Sequence, residues 1–302
     1  MRPKARRAFA FGVLSLVIAA VAVACLEQPE AALQPSETIA EATAPAILLA
    51  AGDIAGCPEW YQDEATAELV ASLPGTIAVL GDVVYQDGKR WQFNQCYDPS
   101  WGRVLSRTKP SPGNHEYRQI KAGPYYEYFG TSAGVAAKGY YAYKLGTWWI
   151  YSLNSERNIA EQTVWLTTHL ATHPSKCILA YWHKPRYTSG SNPNELTVTP
   201  LWDALYAAGA EVVLSGHNHN YERFAPQDGQ GNLRTKGVRQ FVIGTGGAQL
   251  EGFVNIQPNS KVRYVAGWGV LRLTLGTGKY GWNFLPIPGS PPADTGSANC
   301  TG

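Results

Sequence analysis

"EVVLSGHNHNYERF", residues 211–224, couples a short apolar run to two imidazoles. Val212, Val213 and Leu214 form the continuous apolar segment expected of a strand buried on both faces. The run stops at Ser215-Gly216, and His217 and His219 follow with one residue between them. In extended chain, residues i and i+2 point the same way. Both imidazoles therefore share one side, just past the carboxyl end of a buried strand. In open α/β sheets that is where ligand groups gather.

Other stretches end alike. Residues 46–51 are apolar and run into Gly52-Asp53, in GDIAG. Residues 76–80 run into Gly81-Asp82, in GDVVYQDG. A loop carries PGNHE, residues 112–116, and the apolar run 177–182 leads to His183. Helical patterns intervene at 63–73 (stopped by Pro74-Gly75), 161–172 and 196–208. Residues 139–145 and 147–153 alternate as a hairpin around Gly146, and 239–243, 265–275 and 280–285 close the chain with more strands. Apolar strands alternating with helices predict α/β layering with both sheet faces covered.

Five strand ends and loops thus supply Asp53, Asp82, Tyr85, Asn114, His115, His183, His217 and His219. One tetrahedral zinc takes four ligands. Two ions roughly 3.5–4 Å apart with one shared carboxylate use a set of seven. In an H-x-H pair each histidine reaches a different ion. Taken singly, each residue has a plainer reading. Asp53 and Asp82 suit helix caps, Asn114 a turn, and Tyr85 a packed aromatic. The ordered set is what favours a metal centre.

That ordered set, GDxxY, GNH[DE], a strand-end histidine and GHxHxYER, resembles the calcineurin-like metallophosphoesterase superfamily and, within it, the purple acid phosphatase branch. The likeness covers roughly residues 46–285. It implies two packed mixed β-sheets flanked by helices, a four-layer α/β/β/α sandwich. It also implies Asp53, Tyr85 and His219 on one metal, Asn114, His183 and His217 on the second, and Asp82 bridging both. His115 takes the outer position that steadies phosphate and protonates the leaving group. Outside the purple branch a histidine usually stands two residues after the first aspartate; here it is Ala55, and Tyr85 fills the gap. A phenolate is a hard anionic donor, so the expected metals are Fe(III) at Tyr85 and Zn, Mn or Fe at the second site. The implied reaction is hydrolysis of a small phosphate monoester by water activated between the ions. A phosphodiesterase or nucleotidase on the same scaffold is the alternative, and a non-catalytic envelope binding protein the rival of another class. A metallo-β-lactamase-like H-x-H-x-D-H is disfavoured, because Tyr221 stands where aspartate is needed.

The ends of the chain read differently. Arg2, Lys4, Arg6 and Arg7 precede an apolar stretch from Phe9 to Val23, and Ala22-Val23-Ala24 fits a cleavage site. Residues 1–24 are expected to be an export signal. "AVAC" also resembles a lipobox with Cys25 as lipid anchor, and Arg6-Arg7 a twin-arginine signal; release and lipidation both stay open. Residues 25–45 read as a tether, 46–286 as the metallophosphoesterase domain and 287–302 as a Pro/Gly/Ser-rich surface tail held by Cys300. The leader carries four of the 25 basic residues, leaving 21 against 23 acidic, a net of −2. A slightly acidic domain is a poor general nucleic-acid binder. Beyond Cys25 four cysteines remain, and an even number in an exported chain suggests two disulfides. Of three possible pairings, Cys57–Cys96 with Cys177–Cys300 is favoured. His169 and His173, at i and i+4 on a helix, have zinc-like spacing but no accompanying glutamate, and are expected to be solvated or to complement the helix dipole. Glu222 and Arg223 are expected to buttress the centre.

Overall fold

The computed structural model describes residues 44–302, apart from positions 59, 137 and 293. The expected leader, twin arginines, Cys25 and nearly all of the tether lie outside the described residues. The first half of the fold contains β1 (Ala46–Ala51), α1 (Asp63–Ala71), β2 (Thr76–Leu80), α2 (Arg90–Gln92), β3 (Thr108–Ser111), α3 (Gly123–Phe129), β4 (Tyr141–Leu145), β5 (Trp148–Ser152) and α4 (Ile159–Thr172). The second contains β6 (Ile178–Tyr181), α5 (Thr199–Ala207), β7 (Val212–Ser215), β8 (Tyr221–Phe224), β9 (Arg239–Ile243), β10 (Ser260–Tyr264), β11 (Gly269–Gly276), β12 (Lys279–Pro286) and β13 (Thr295–Asn299).

The strands make two mixed sheets, in the orders β13-β12-β11-β1-β2-β3 and β10-β8-β9-β7-β6-β5-β4. Within them β1, β2 and β3 run parallel, as do β5, β6, β7 and β9. The period of two along each strand explains the layering. From β6 and β7, Leu179, Tyr181, Val212 and Leu214 face the first sheet, meeting Leu48, Val79, Leu271 and Leu273 in one core. Their neighbours Ile178, Ala180 and Val213 face outward, under Leu166, Leu170, Leu201, Trp202 and Leu205 of α4 and α5. Two sheets packed face to face and flanked by helices match the expected α/β/β/α sandwich.

Four strands, β3, β8, β10 and β13, lie outside the expectation; β8 and β10 pair with each other at the edge of the second sheet, and the other two are edges of the first. Thr108–Ser111 carries no apolar period, yet it pairs with β2 as an edge strand, where Pro110 opposite Val79 needs no ladder donor. In the expected tail, Thr295–Asn299 pairs antiparallel with β12 as the other edge of the same sheet. Both favoured disulfides are present. Cys57–Cys96 lies beside the loop after β1, and Cys177–Cys300 fastens the chain end to the start of β6. Among the described residues no helix is long and apolar enough to cross a membrane.

Candidate metal centre

The parallel strands bring their carboxyl ends to one edge of the sandwich, and backbone bonds lock that edge across both sheets. Asp53 N donates to Gly81 O at 3.1 Å, Gly52 N to Ile243 O at 2.9 Å and Gly216 N to His183 O at 2.9 Å. Asp53, Asp82 and His217 each adopt a left-handed backbone, with φ of 60°, 46° and 70°. Non-glycine residues hold such angles only where surrounding structure fixes them, and they gather at functional sites.

Side chains converge at two points. At the first, Tyr85 Oη lies 2.9 Å from Asp53 Oδ1, 3.0 Å from His219 Nε2 and 3.4 Å from Asp82 Oδ2. At the second, His183 Nε2 lies 3.1 Å from each of Asp82 Oδ2, Asn114 Oδ1 and His217 Nδ1. Asp82 Oδ2 belongs to both groups. All seven expected ligands are therefore brought together, and Asp82 stands between the two sets.

Carbonyls of the chain orient the imidazoles. Leu80 O faces His183 Nδ1 at 2.8 Å, and Gln249 O faces His219 Nδ1 at 2.9 Å. Each Nδ1–H donates there, which leaves Nε2 pointing inward with its lone pair in the neutral ring. His183 Nε2 can then carry at most one proton, yet three acceptors surround it. Around Tyr85 Oη stand two carboxylate oxygens, of Asp53 and Asp82, and the inward ring nitrogen of His219. A cation in each group would engage all of these inward atoms at once, where protons can serve them only pair by pair. Asp53 and Asp82 are 0% and 2% exposed, and no lysine or arginine pairs with them among the described residues. Two buried carboxylates without a lysine or arginine must be balanced by protons on the neighbouring histidines or by bound cations. The donor set therefore fits bound metal, and Asp82, His183 and His217 alone bring three ligand atoms within 4.8 Å of one another.

Without metal, protons take up the imbalance. Burial alone would lower the His183 pKa, but the charge and hydrogen bond of Asp82 lift it to about 10. Burial also opposes charge on His219, yet the bond to Asp53 and its charge push it up to about 9. His217, buried and next to a charged His183, is pulled down to about 3. Burial works against the Asp82 carboxylate, but His183 above all, with His115 and His217, holds it well below the usual range. Tyr85 is driven well above 10 by burial, then by the charges of Asp53 and Asp82.

His115 lies outside the ligand set, as expected. Its backbone N–H donates to Asp82 Oδ1 at 2.9 Å, its Nδ1 meets Gln86 O, and its Nε2 is 3.7 Å from Asp82 Oδ2. Several contributors were not assigned a role from sequence. Glu116, fully buried, accepts from Asp82 N at 3.0 Å, Gly113 N at 2.7 Å and Val83 N at 2.9 Å. It is the last residue of the PGNHE motif, so its position was visible although its task was not. Arg118 Nη2 stands 3.4 Å from His115 Nε2.

The buttressing expectation needs one correction. Arg223 pairs with Asp294, Nε to Oδ2 at 2.6 Å, because the chain beyond β12 returns beside β8. Glu222 accepts from Ser189 N at 2.8 Å; the same loop reaches the centre where Asn192 Nδ2 donates to His217 O at 3.1 Å. His169 and His173 stack on each other at 3.9 Å, on α4 and just beyond its end, beside Trp149. They take no part in the centre.

Comparison with known proteins bears on the family and the fold. A family model described as calcineurin-like phosphoesterase matches residues 28–221. Purple acid phosphatase 15 of Arabidopsis thaliana is 25% identical over an alignment of 197 positions that covers 52% of this chain and 37% of that protein. The chain thus spans little more than a third of that relative's length. Among solved structures, purple acid phosphatase PPD1 from yellow lupin (Lupinus luteus) seeds superposes with a TM-score of 0.75 at 17% identity, covering 85% of this chain and 54% of the other. GAP50, the anchor in the inner membrane complex of Plasmodium, superposes with a TM-score of 0.68 at 13% identity, covering 86% and 90%. These two share the fold.

Proposed function

The chain belongs to the calcineurin-like phosphoesterase family, and from that premise we propose that it is a metal-dependent hydrolase of phosphate esters, an acid-phosphatase-like phosphomonoesterase with two cations. The observation that carries this reading is the double crowding of acceptors around Tyr85 Oη and His183 Nε2, joined through Asp82 Oδ2. Asp53, Tyr85 and His219 hold one ion, Asn114, His183 and His217 the other, and Asp82 serves both. Bound there, the ions supply Lewis acidity toward phosphoryl oxygens and acidify water.

The remaining work falls to the chain itself. Leu80 and Gln249 carbonyls fix which nitrogens of His183 and His219 face inward. Glu116 fixes the backbone of Asp82 and Gly113, and so the approach of both loops. His115, held at Nδ1 by Gln86 O, presents Nε2 toward the centre; as imidazolium it donates a proton to the departing alkoxide. Tyr85 favours a hard trivalent ion, Fe(III), because a phenol held so far above its usual pKa ionises only against a strong charge; Zn, Mn or Fe takes the second position. Two disulfides suit an oxidising compartment. They support export behind a leader at 1–24 and a tether at 25–45, with either release or a lipid at Cys25; the catalytic domain runs from 46 past the expected boundary at 286, through β13 to Cys300.

Elemental analysis and a visible spectrum of natively expressed protein, followed by rates on a monoester, a diester and a nucleotide, test the reading. Two metals per chain, a visible band lost in Tyr85→Phe, and monoester cleavage are expected. A metal-loaded protein inert toward all three ester classes would end it. Colourless, iron-free protein with full activity would remove the iron assignment alone.

A further inference from the structure

Beside His115 the surface opens into a cavity of about 440 Å³, lined by Tyr117, Arg118, Lys121, Arg157 and Asn158 among others. Three of its wall residues carry positive charge and none carries a carboxylate. The neighbouring acids are already paired, Asp87 in part with the wall's own Arg118. Asp87 lies 2.9 Å from Lys89 and 3.5 Å from Arg118, and Glu156 is bound to Lys184 at 2.8 Å. Lys121 and Arg157 thus have no carboxylate partner among the described residues. Arg157 is nevertheless held in place, stacked over the Tyr117 ring at 5.0 Å and donating to Glu156 O at 2.9 Å. Arg118 links the cavity to the centre, since its Nη2 is 3.4 Å from His115 Nε2.

The backbone at the wall is as unusual as that of the metal centre. The wall residues Lys121 and Asn158 have φ of 52° and 60°, and Ala122, buried just behind Lys121, has φ of 50°. Only seven non-glycine residues have positive φ among the described residues; three are Asp53, Asp82 and His217, and three are these. Each such residue costs on the order of 1 kcal/mol, and such costs collect at ligand sites.

We propose that this cavity is a second phosphate subsite, so that the natural substrate is a small molecule carrying at least two phosphate groups. The inference rests on the phosphoesterase reading, which puts the scissile phosphate at the metals and leaves the second to Lys121, Arg157 and the outer face of Arg118. Guanidinium forks match phosphate oxygens in pairs. Arg157, held over Tyr117 and free of a carboxylate, gains most from a dianion.

Alkane-α,ω-diol bisphosphates of two to six carbons, each compared with its monophosphate, measure the reach. At least one length should exceed its monophosphate about tenfold in kcat/KM, mainly through KM, and the advantage should shrink as salt is raised. In Lys121→Gln/Arg157→Gln, with both changes at exposed side chains, the ratio should fall to within about twofold. Calorimetry with non-hydrolysable butane-1,4-bisphosphonate supplies a readout free of turnover, and binding should weaken about tenfold in the same variant. No favoured length, a ratio unchanged in the variant, or equal bisphosphonate binding by both chains overturns the subsite. If no ester is cleaved but the variant still binds bisphosphonate more weakly, the subsite stands and the phosphoesterase reading falls.

Discussion

Adding one methyl at Gly216 tests whether the centre is as tightly built as its distances imply. A Cβ there would lie 2.5 Å from Asp53 Oδ2, 3.0 Å from Leu80 O and 3.5 Å from His183 Nδ1. Ordinary carbon contacts are about 3.5 Å, so Asp53 Oδ2 must retreat by roughly 1 Å. It is not free to do so, because His217 N donates to that same oxygen at 2.8 Å. Leu80 O is pinned as well, by His183 Nδ1. Gly216 is outside the left-handed residues, so alanine brings crowding without backbone strain. Overpacking of this kind costs about 1–3 kcal/mol, or a fall in melting temperature of about 3–10 °C. A displacement near 1 Å at the reacting groups costs about 10²-fold in turnover. Gly216→Ala should therefore lose metal from the Tyr85 side and at least about 10²-fold in monoester hydrolysis. Gly252→Ala is the control: a Cβ there meets nothing within 4 Å and its backbone is outside the left-handed residues, so the change should be neutral or slightly stabilising. Elemental analysis, thermal melts and initial rates give the three readouts. A Gly216→Ala protein with normal metal content and normal rates would refute the close-packed cradle.

Glu116→Ala strips the acceptor from the N–H groups of Asp82, Val83 and Gly113; at about 1–3 kcal/mol per buried orphan, it should lose at least about 3 kcal/mol, and a denaturant midpoint unchanged from wild type would remove its anchoring role. His115→Ala should lower kcat by about 10²–10⁴-fold on alkyl phosphates and much less on nitrophenyl phosphate, whose leaving group needs no proton; equal losses on both would deny the acid role. Metal uptake should release protons. His183 and His219, raised to about 10 and about 9 in the metal-free protein, are charged at neutral pH, and a cation must displace those protons. Zinc affinity should therefore rise with pH through about 9, with heats that depend on the ionisation enthalpy of the buffer. The same raised values stabilise the metal-free fold fully below about pH 6.5, a contribution lost as pH rises through about 9 to 10. Zinc binding at pH 7.5 with no proton release would contradict these assignments.

Much of this molecule is legible one segment at a time. Buried strands such as 76–80 and 212–215 announce themselves as apolar runs ended by glycine, since burial on both faces demands apolar side chains at every position. Their ends carry the candidate ligands, so GDIAG, GDVVY, PGNHE, the Tyr181-Trp182-His183 end and GHNHNYER name the centre before any fold is known. Other features carry no local signal. Thr108–Ser111 is a strand only because β2 offers it an edge, and Thr295–Asn299 only because β12 does. Arg223 finds Asp294 across 71 positions of chain, a pairing that no spacing rule predicts. The left-handed angles of Asp53, Asp82 and His217, the three N–H groups on Glu116 and the acceptors crowded around His183 Nε2 arise from sheet order. Residue type fixes which atoms can bind a cation. Whether those atoms reach one another depends on which strands lie side by side, a long-range energy that only the packed sandwich resolves.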